Sequence, residues 1–316
     1  MGLVLNLNVI LAYFLLTLGQ IAIGVNVVAG KYLIDYMPVY SYLFIRFFTS
    51  ALYLMILVGI MRESFVDERH PKGRLTKRDW TYLTLQALTG GFLFNALFYW
   101  GIQYTTAISA GIISSCLPAI IALCAFLILK EKLDRWKITG IALAMIGILI
   151  INWDNPKGSD RETGSFIGDF VVLLSMVPEA LYSIFNKYTL KRVTPLGGAA
   201  IVNVLICLML APLGLEQWMT EGVGELTAHQ WILLLMTGFA SVFFFWFWSR
   251  GLMYVSASTA AIFTSVLPVS TTLMAWAFLK EQFGWYDGIG MIVVLSSIFI
   301  GTGFWRKKKK HESKTK

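Results

Sequence analysis

Two ionisable side chains stand deep inside apolar runs of this chain, Arg46 and Glu179. A charge at the centre of a bilayer costs at least about 2.5–3.5 kcal/mol on insertion scales, so each is expected to face a partner, a ligand or a wet cavity. Glu179 directly follows Pro178. A proline in mid-helix removes one backbone donor and frees the carbonyl four residues earlier, here that of Leu174. Freed backbone is tolerated where it faces protein or water. A carboxylate beside it can bind a cationic group of a solute or carry a coupling proton. The bland alternative is a static ion pair with Arg46 that locks two helices together. Tyr182, close to Glu179 on the same run, joins the substrate-binding or coupling candidates.

Asn95, Tyr99 and Gln103 recur at helical spacing and share one face. Such a stripe faces either a cavity or another helix through interhelical hydrogen bonds. Gln20 and Asn26 form a weaker pair of the same kind. Pro118 and Pro268 fall near the middle of their runs and are expected to kink them around a cavity, with Pro178 as a third kink. Catalysis finds no support. No HExxH or GxSxG occurs, and no histidine falls in the interior of an apolar run. Asp169 lies near the end of its run, so a paired-aspartate protease is not expected. His70, His229 and His311 lie in connections or the tail, so neither a metal nor another cofactor is expected. Cys116, Cys124 and Cys207 are read as buried free thiols.

The elements that must position these residues are membrane helices. The chain is 57% hydrophobic and 14% charged, with a mean hydropathy of +0.68, whereas soluble domains carry about 25% charged residues. Runs of about 20 apolar residues, the length of a membrane-spanning helix, occur at 8–30, 38–61, 80–101, 106–129, 136–153, 166–187, 196–214, 229–249, 257–279 and 285–305. The fold class expected is an all-α polytopic membrane protein of ten transmembrane helices. No basic segment precedes the first run, which is read as a permanent span rather than a cleaved signal.

Residues 101–150 and 251–300 agree without gaps at 16 of 50 positions. The matches include Leu117-Pro118 with Leu267-Pro268, and Lys130-Glu131 with Lys280-Glu281. A further match, Lys31-Tyr32 with Lys187-Tyr188, pairs the first span with the sixth. The polar connection 154–165 therefore divides the chain into two five-helix units, 1–153 and 166–305, followed by a basic tail, 306–316. Five is odd, so the second unit enters the membrane inverted, the plan in which solute binds near the midplane between the halves. Neither Arg46 nor Glu179 has a charged counterpart in the other unit, as suits groups specialised for a ligand.

With both termini cytoplasmic, 21 lysines and arginines fall on the inner side and four on the outer. The tail is read as lying near anionic lipid headgroups, with no nucleic-acid role. Trp80, Trp100, Trp136, Trp153, Trp246, Trp248, Trp285 and Trp305 are assigned to the interfacial belt. Gly284 and Gly288 are correctly spaced for a helix-dimer face, but oligomeric state is left open.

On these residues the chain resembles the EamA-type transporters of the drug/metabolite transporter superfamily. The runs Ala107–Glu131 and Ala257–Glu281 carry the resemblance, with Leu-Pro in mid-span and a closing Lys-Glu, together with Arg46-Phe47. It implies alternating access through a central cavity formed by spans 1–4 and 6–9. It further implies outward movement of amino acids, other metabolites or drugs across the bacterial inner membrane. Glu179 departs from it, standing where members usually carry a small or aromatic residue, which puts coupling and substrate charge in question. The function expected is secondary export of a small metabolite such as an amino acid, with proton coupling as one option. A lipid or lipid-linked sugar flippase and a multidrug exporter are the alternatives.

Overall fold

The computed structural model describes residues 7–67, 73–114, 164–222, 224–254, 266–280 and 284–301, with isolated positions described between 116 and 150 and between 260 and 264. The described elements are helices: α1 (Leu7–Leu33), α2 (Val39–Met61), α3 (Lys77–Gln86), a π-helical segment (Ala87–Leu93), α4 (Phe94–Ile102), α5 (Ala107–Ser114), α6 (Gly164–Thr189), α7 (Pro195–Thr220), α8 (Ala228–Tyr254), α9 (Val266–Met274), a second π-helical segment (Ala275–Leu279) and α10 (Trp285–Gly301). Five described helices are long and apolar enough to cross a bilayer, within α1, α2, α6, α7 and α8. Large apolar side chains such as Phe48, Ile56, Phe170, Leu208, Met236 and Phe239 point outward. In a bilayer that outer surface is solvated by lipid, while every backbone group is satisfied along the helix. The chain is an integral multi-pass membrane protein.

Some boundaries differ from expectation. Span 7 runs on to Thr220 rather than stopping at 214. The fifth span, 136–153, falls mostly outside the described residues. Lys280, the closing lysine of the second Lys-Glu, adopts the left-handed conformation (φ 54°) that ends its helix.

Close approaches fix the internal symmetry. A methyl group on Gly101 would lie 2.9 Å from both the Gly168 carbonyl oxygen and Val172 Cγ2. One on Gly251 would lie 3.2 Å from the Ala12 carbonyl oxygen and 2.7 Å from Leu16 Cγ. Gly251 is Gly101 moved on by 150 positions, while Gly168 and Val172 are Ala12 and Leu16 moved on by 156. The same pair of offsets relates two lysine contacts. Lys31 Nζ donates to the Ile102 carbonyl at 2.8 Å and Lys187 Nζ to the Leu252 carbonyl at 2.9 Å. The helix pairs α1–α8 and α6–α4 are therefore copies of one packing.

The copies are inverted. The Tyr40 N–H, at the start of α2, donates to Gln217 near the end of α7 (2.9 Å). The Thr194 hydroxyl, at the start of α7, donates to the Ser64 carbonyl beyond the end of α2 (2.6 Å). Thus α2 and α7 are antiparallel, and the turn at Pro38 lies at one end of the bundle with the turn at Pro195 at the other.

The π segment has a cause in the repeat. Thr76 caps α3 with Asp79, and Thr227 caps α8 with Gln230 by the same reciprocal bonds. These caps are 151 positions apart, whereas the matched contacts near the far ends, at Gly101 and Gly251 and at Ile102 and Leu252, are 150 apart. The first unit thus carries one extra residue, which the wider i→i+5 turns of Ala87–Leu93 absorb.

Candidate functional site

The extra residue has a chemical consequence. Asn95, in the first turn of α4, donates its side-chain amide to the carbonyls of Gly90 (3.2 Å) and Gly91 (2.7 Å), both within the π segment. Both amide hydrogens are then committed, so Asn95 Oδ1 is presented outward as an acceptor. Arg46 Nη2 donates to it at 2.9 Å. Arg46 Nη1 donates to the Tyr99 hydroxyl at 3.0 Å, and that hydroxyl donates onward to the Asn26 carbonyl at 2.7 Å. The Arg46 guanidinium carbon lies 4.6 Å from the centroid of the Phe47 ring, within cation–π range. The Asn26 side chain donates to the Ser241 hydroxyl at 3.0 Å, which ties α1 to α8.

Arg46 is 4% exposed, and all these partners are neutral. No described carboxylate lies within 4 Å of it, and its Nε–H has no partner. The static Arg46–Glu179 lock, one of the two alternatives open in the sequence, is not formed in this conformation. Glu179 is half-buried and makes no hydrogen bond or ion pair with any described residue.

Both charges line one cavity between the two units, of about 40 Å³, where a water needs roughly 10–15 Å³. Its walls are largely pairs of repeat-related residues: Gln20 with Met176, Ile23 with Glu179, Asn26 with Tyr182, Asn95 with Phe245 and Ser114 with Thr264. The pseudo-two-fold axis therefore passes through it. Across that axis the chemistry differs. The first unit contributes the amides Gln20, Asn26 and Asn95 with Arg46, beside Ile23, Phe94 and Leu117; the second contributes Glu179 as its one acid, the hydroxyls of Tyr182, Ser183, Ser241 and Thr264, and the larger aromatic face, Phe244, Phe245 and Trp248. One wall can hold a charged or hydrogen-bonding head group and the other an apolar body.

Of the sequence candidates, Arg46, Asn26, Asn95, Glu179 and Tyr182 line this cavity, and Tyr99 stands behind Arg46. Gln103 does not share the site; it lies just beyond α4 and is exposed. Pro178 is buried within α6, one residue from Glu179. Pro268 lies in the first turn of α9, where a missing N–H breaks no helical bond. Pro118 lies outside the described residues.

Trp248 corrects the belt assignment. It is 4% exposed, lines the cavity, stacks on Phe244 at 6.1 Å, and its Nε1–H has no partner. Trp248, Phe244 and Phe245 escaped sequence reasoning because they sit in an all-aromatic run from Phe243 to Trp248 with no polar marker. The repeat did carry a signal: Phe245 is the image of Asn95.

The family model described as "EamA-like transporter family" matches residues 10–153 and 166–302. The chain belongs to that family. It is 30% identical over 290 residues to a Bacillus subtilis (strain 168) protein named uncharacterized transporter YetK, covering 92% of this chain and 86% of that one. It is 22% identical to the S-adenosylmethionine uptake transporter of Rickettsia prowazekii (strain Madrid E), covering 96% of each. A solved crystal structure shares the fold at a TM-score of 0.61 and 15% identity, over 96% of this EamA-like chain and 97% of that one. The chain is a transporter of the drug/metabolite type.

Proposed function

We propose that the protein is a secondary active transporter of small metabolites bearing both a carboxylate and an amine, amino acids among them, with export as the working direction and the bacterial plasma membrane as its location. The observation that carries this is the pairing of two unsatisfied charges in one cavity: an arginine bonded to neutral groups alone, and an acid bonded to no described group. A solute carboxylate can take bidentate, charge-assisted bonds from Arg46. Glu179 can hold a coupling proton and exchange it for a solute amine. The aromatic wall suits an apolar side chain. A cavity of about 40 Å³ is too small for such a solute, so transport requires the two units to rearrange, as an inverted repeat allows. S-adenosylmethionine, the solute named for the Rickettsia relative, carries a carboxylate together with cationic groups, which supports the same class.

The test is uptake of labelled amino acids, their amides and the corresponding amines into liposomes loaded with the same unlabelled solute. Amino-acid exchange that falls at least about tenfold in Arg46→Ala and in Glu179→Gln supports the reading; a charge-assisted bond contributes about 1.5–3 kcal/mol. Equal exchange by wild type and both variants, or a preference for the amide and the amine, contradicts it.

A further inference from the structure

Beside the central cavity, at the Pro195 end, lies a smaller one of about 10 Å³. Gln86, Asn186 and Ser249 give it polar walls, and Tyr182 and Phe245 separate it from the central cavity. Space there is provided by three small or medium residues, Gly198, Val202 and Ser249. Moved by the repeat offsets, these become Tyr42, Arg46 and Tyr99. At the Pro38 end the corresponding space is filled. The Tyr42 and Tyr99 hydroxyls meet at 3.3 Å with ring centroids 5.2 Å apart, and Arg46 donates to Tyr99 beside them. The exchange of volumes extends one residue further. Asn186 becomes Gly30, and a methyl group there would collide with both Tyr99 and Tyr42.

We propose that Tyr42, Arg46 and Tyr99 form a plug that closes the Pro38 end of the cavity and opens for solutes bearing a carboxylate, while the Pro195 end keeps a preformed polar subsite. The proposal deepens the transport reading and rests on it. Opening requires Arg46 to leave the Tyr99 hydroxyl and Asn95 Oδ1. The guanidinium already makes charge-assisted bonds to these two neutral acceptors; a carboxylate arriving in the cavity replaces them with one ionised, bidentate partner and adds the attraction of opposite charges. A neutral solute offers no such exchange and leaves the plug closed. Arg46 is thus the specificity-determining residue of one gate, and the gates at the two ends differ in chemistry although their helices are copies.

The test is the labelling rate of a reporter cysteine, Ser241→Cys, in full-length protein whose Cys116, Cys124 and Cys207 are changed to alanine. A membrane-impermeant maleimide is applied to intact cells and, separately, to inverted vesicles. The expected result is that Tyr42→Ala and Arg46→Gln each speed labelling about tenfold or more from one face alone. Tyr42→Phe and Tyr99→Phe, which keep the rings and serve if the larger changes fail to fold, speed it less from that same face. Acetate speeds labelling of the parent, acetamide at equal concentration does not, and Arg46→Gln abolishes the difference. Labelling indifferent to the plug variants, or equal responses to acetate and acetamide, would overturn the proposal. Amino-acid flux measured in the same vesicles separates the two readings. Flux with plug-indifferent labelling removes the plug alone. Plug-dependent labelling without flux of any panel solute removes the transport reading.

Discussion

A buried arginine without an acid beside it has to be stabilised by something, and here the supports can be named: the Asn95 side-chain oxygen Oδ1, the Tyr99 hydroxyl and the Phe47 ring. Removing either of the two acceptors leaves a buried donor unsatisfied, which costs about 1–3 kcal/mol. Asn95→Ala is therefore expected to lower the unfolding free energy in detergent by that amount, read from chemical or thermal denaturation. Trp248 makes a different prediction. Its indole N–H is buried against the cavity without a partner, so Trp248→Phe keeps an aromatic ring on Phe244 and removes the donor together with part of the indole's volume. Apparent solute affinity is expected to fall about 2–10-fold, the equivalent of one neutral hydrogen bond of roughly 0.5–1.5 kcal/mol. An unchanged KM would return Trp248 to packing. Arg46 and Glu179 were visible in the sequence because charge in an apolar run is rare. Trp248 was not, because a tryptophan at a helix end has a ready interfacial explanation and burial depends on which helix packs across it.

At the scale of elements, the duplication could be read from Leu-Pro and Lys-Glu alone, and its consequences are now specific. The Gly101 and Gly251 approaches are one contact made twice, α4 on α6 and α8 on α1. Gly101→Val and Gly251→Val are each expected to destabilise by about 1–3 kcal/mol, as overpacking does. Gly59 on α2 meets nothing within 4 Å. Gly59→Ala is expected to be neutral or to stabilise by up to about 1 kcal/mol, the helix-interior difference between the two residues. Thermal denaturation of the three proteins checks the contrast. The π segment was not legible in the same way. Apolar periodicity marks a span at 80–101 but is blind to one extra residue inside it. That residue shows only when the capping threonines, Thr76 and Thr227, are set against the helix ends. Its effect is local and chemical, since it turns Asn95 into an outward acceptor for Arg46.

For the molecule as a whole, both ends are held by polar contacts. At the Pro38 end, Tyr40 and Ser41 bind Gln217 and Gly214 across α2 and α7. At the Pro195 end, Thr194 binds Ser64, Gln86 binds Thr189, and Arg192 lies 3.2 Å from Asp79. The Arg192 side chain is 38% exposed, and Asp79, though only 4% exposed, keeps its bonds from Thr76, so Arg192→Ala is expected to lower stability by about 1 kcal/mol. Between these contacts lies a small cavity with amides and Arg46 from one unit, and hydroxyls, Glu179 and most of the aromatic face from the other. Inversion was deducible from the odd number of spans per unit. Which side chains fill the gate at each end was not, because volume exchanged between repeat partners has meaning only once those partners are known to face the same space.

The central claim is that Glu179 and Arg46 make this cavity a coupled site for charged metabolites. Its most direct test is purified protein in liposomes under an imposed pH gradient, with internal pH followed as amino acids are added. The account predicts solute-dependent proton movement in wild type, lost in Glu179→Gln while the variant still binds solute. Proton movement of the same size and solute dependence in Glu179→Gln, or solute flux in wild type with no proton movement at all, would contradict it.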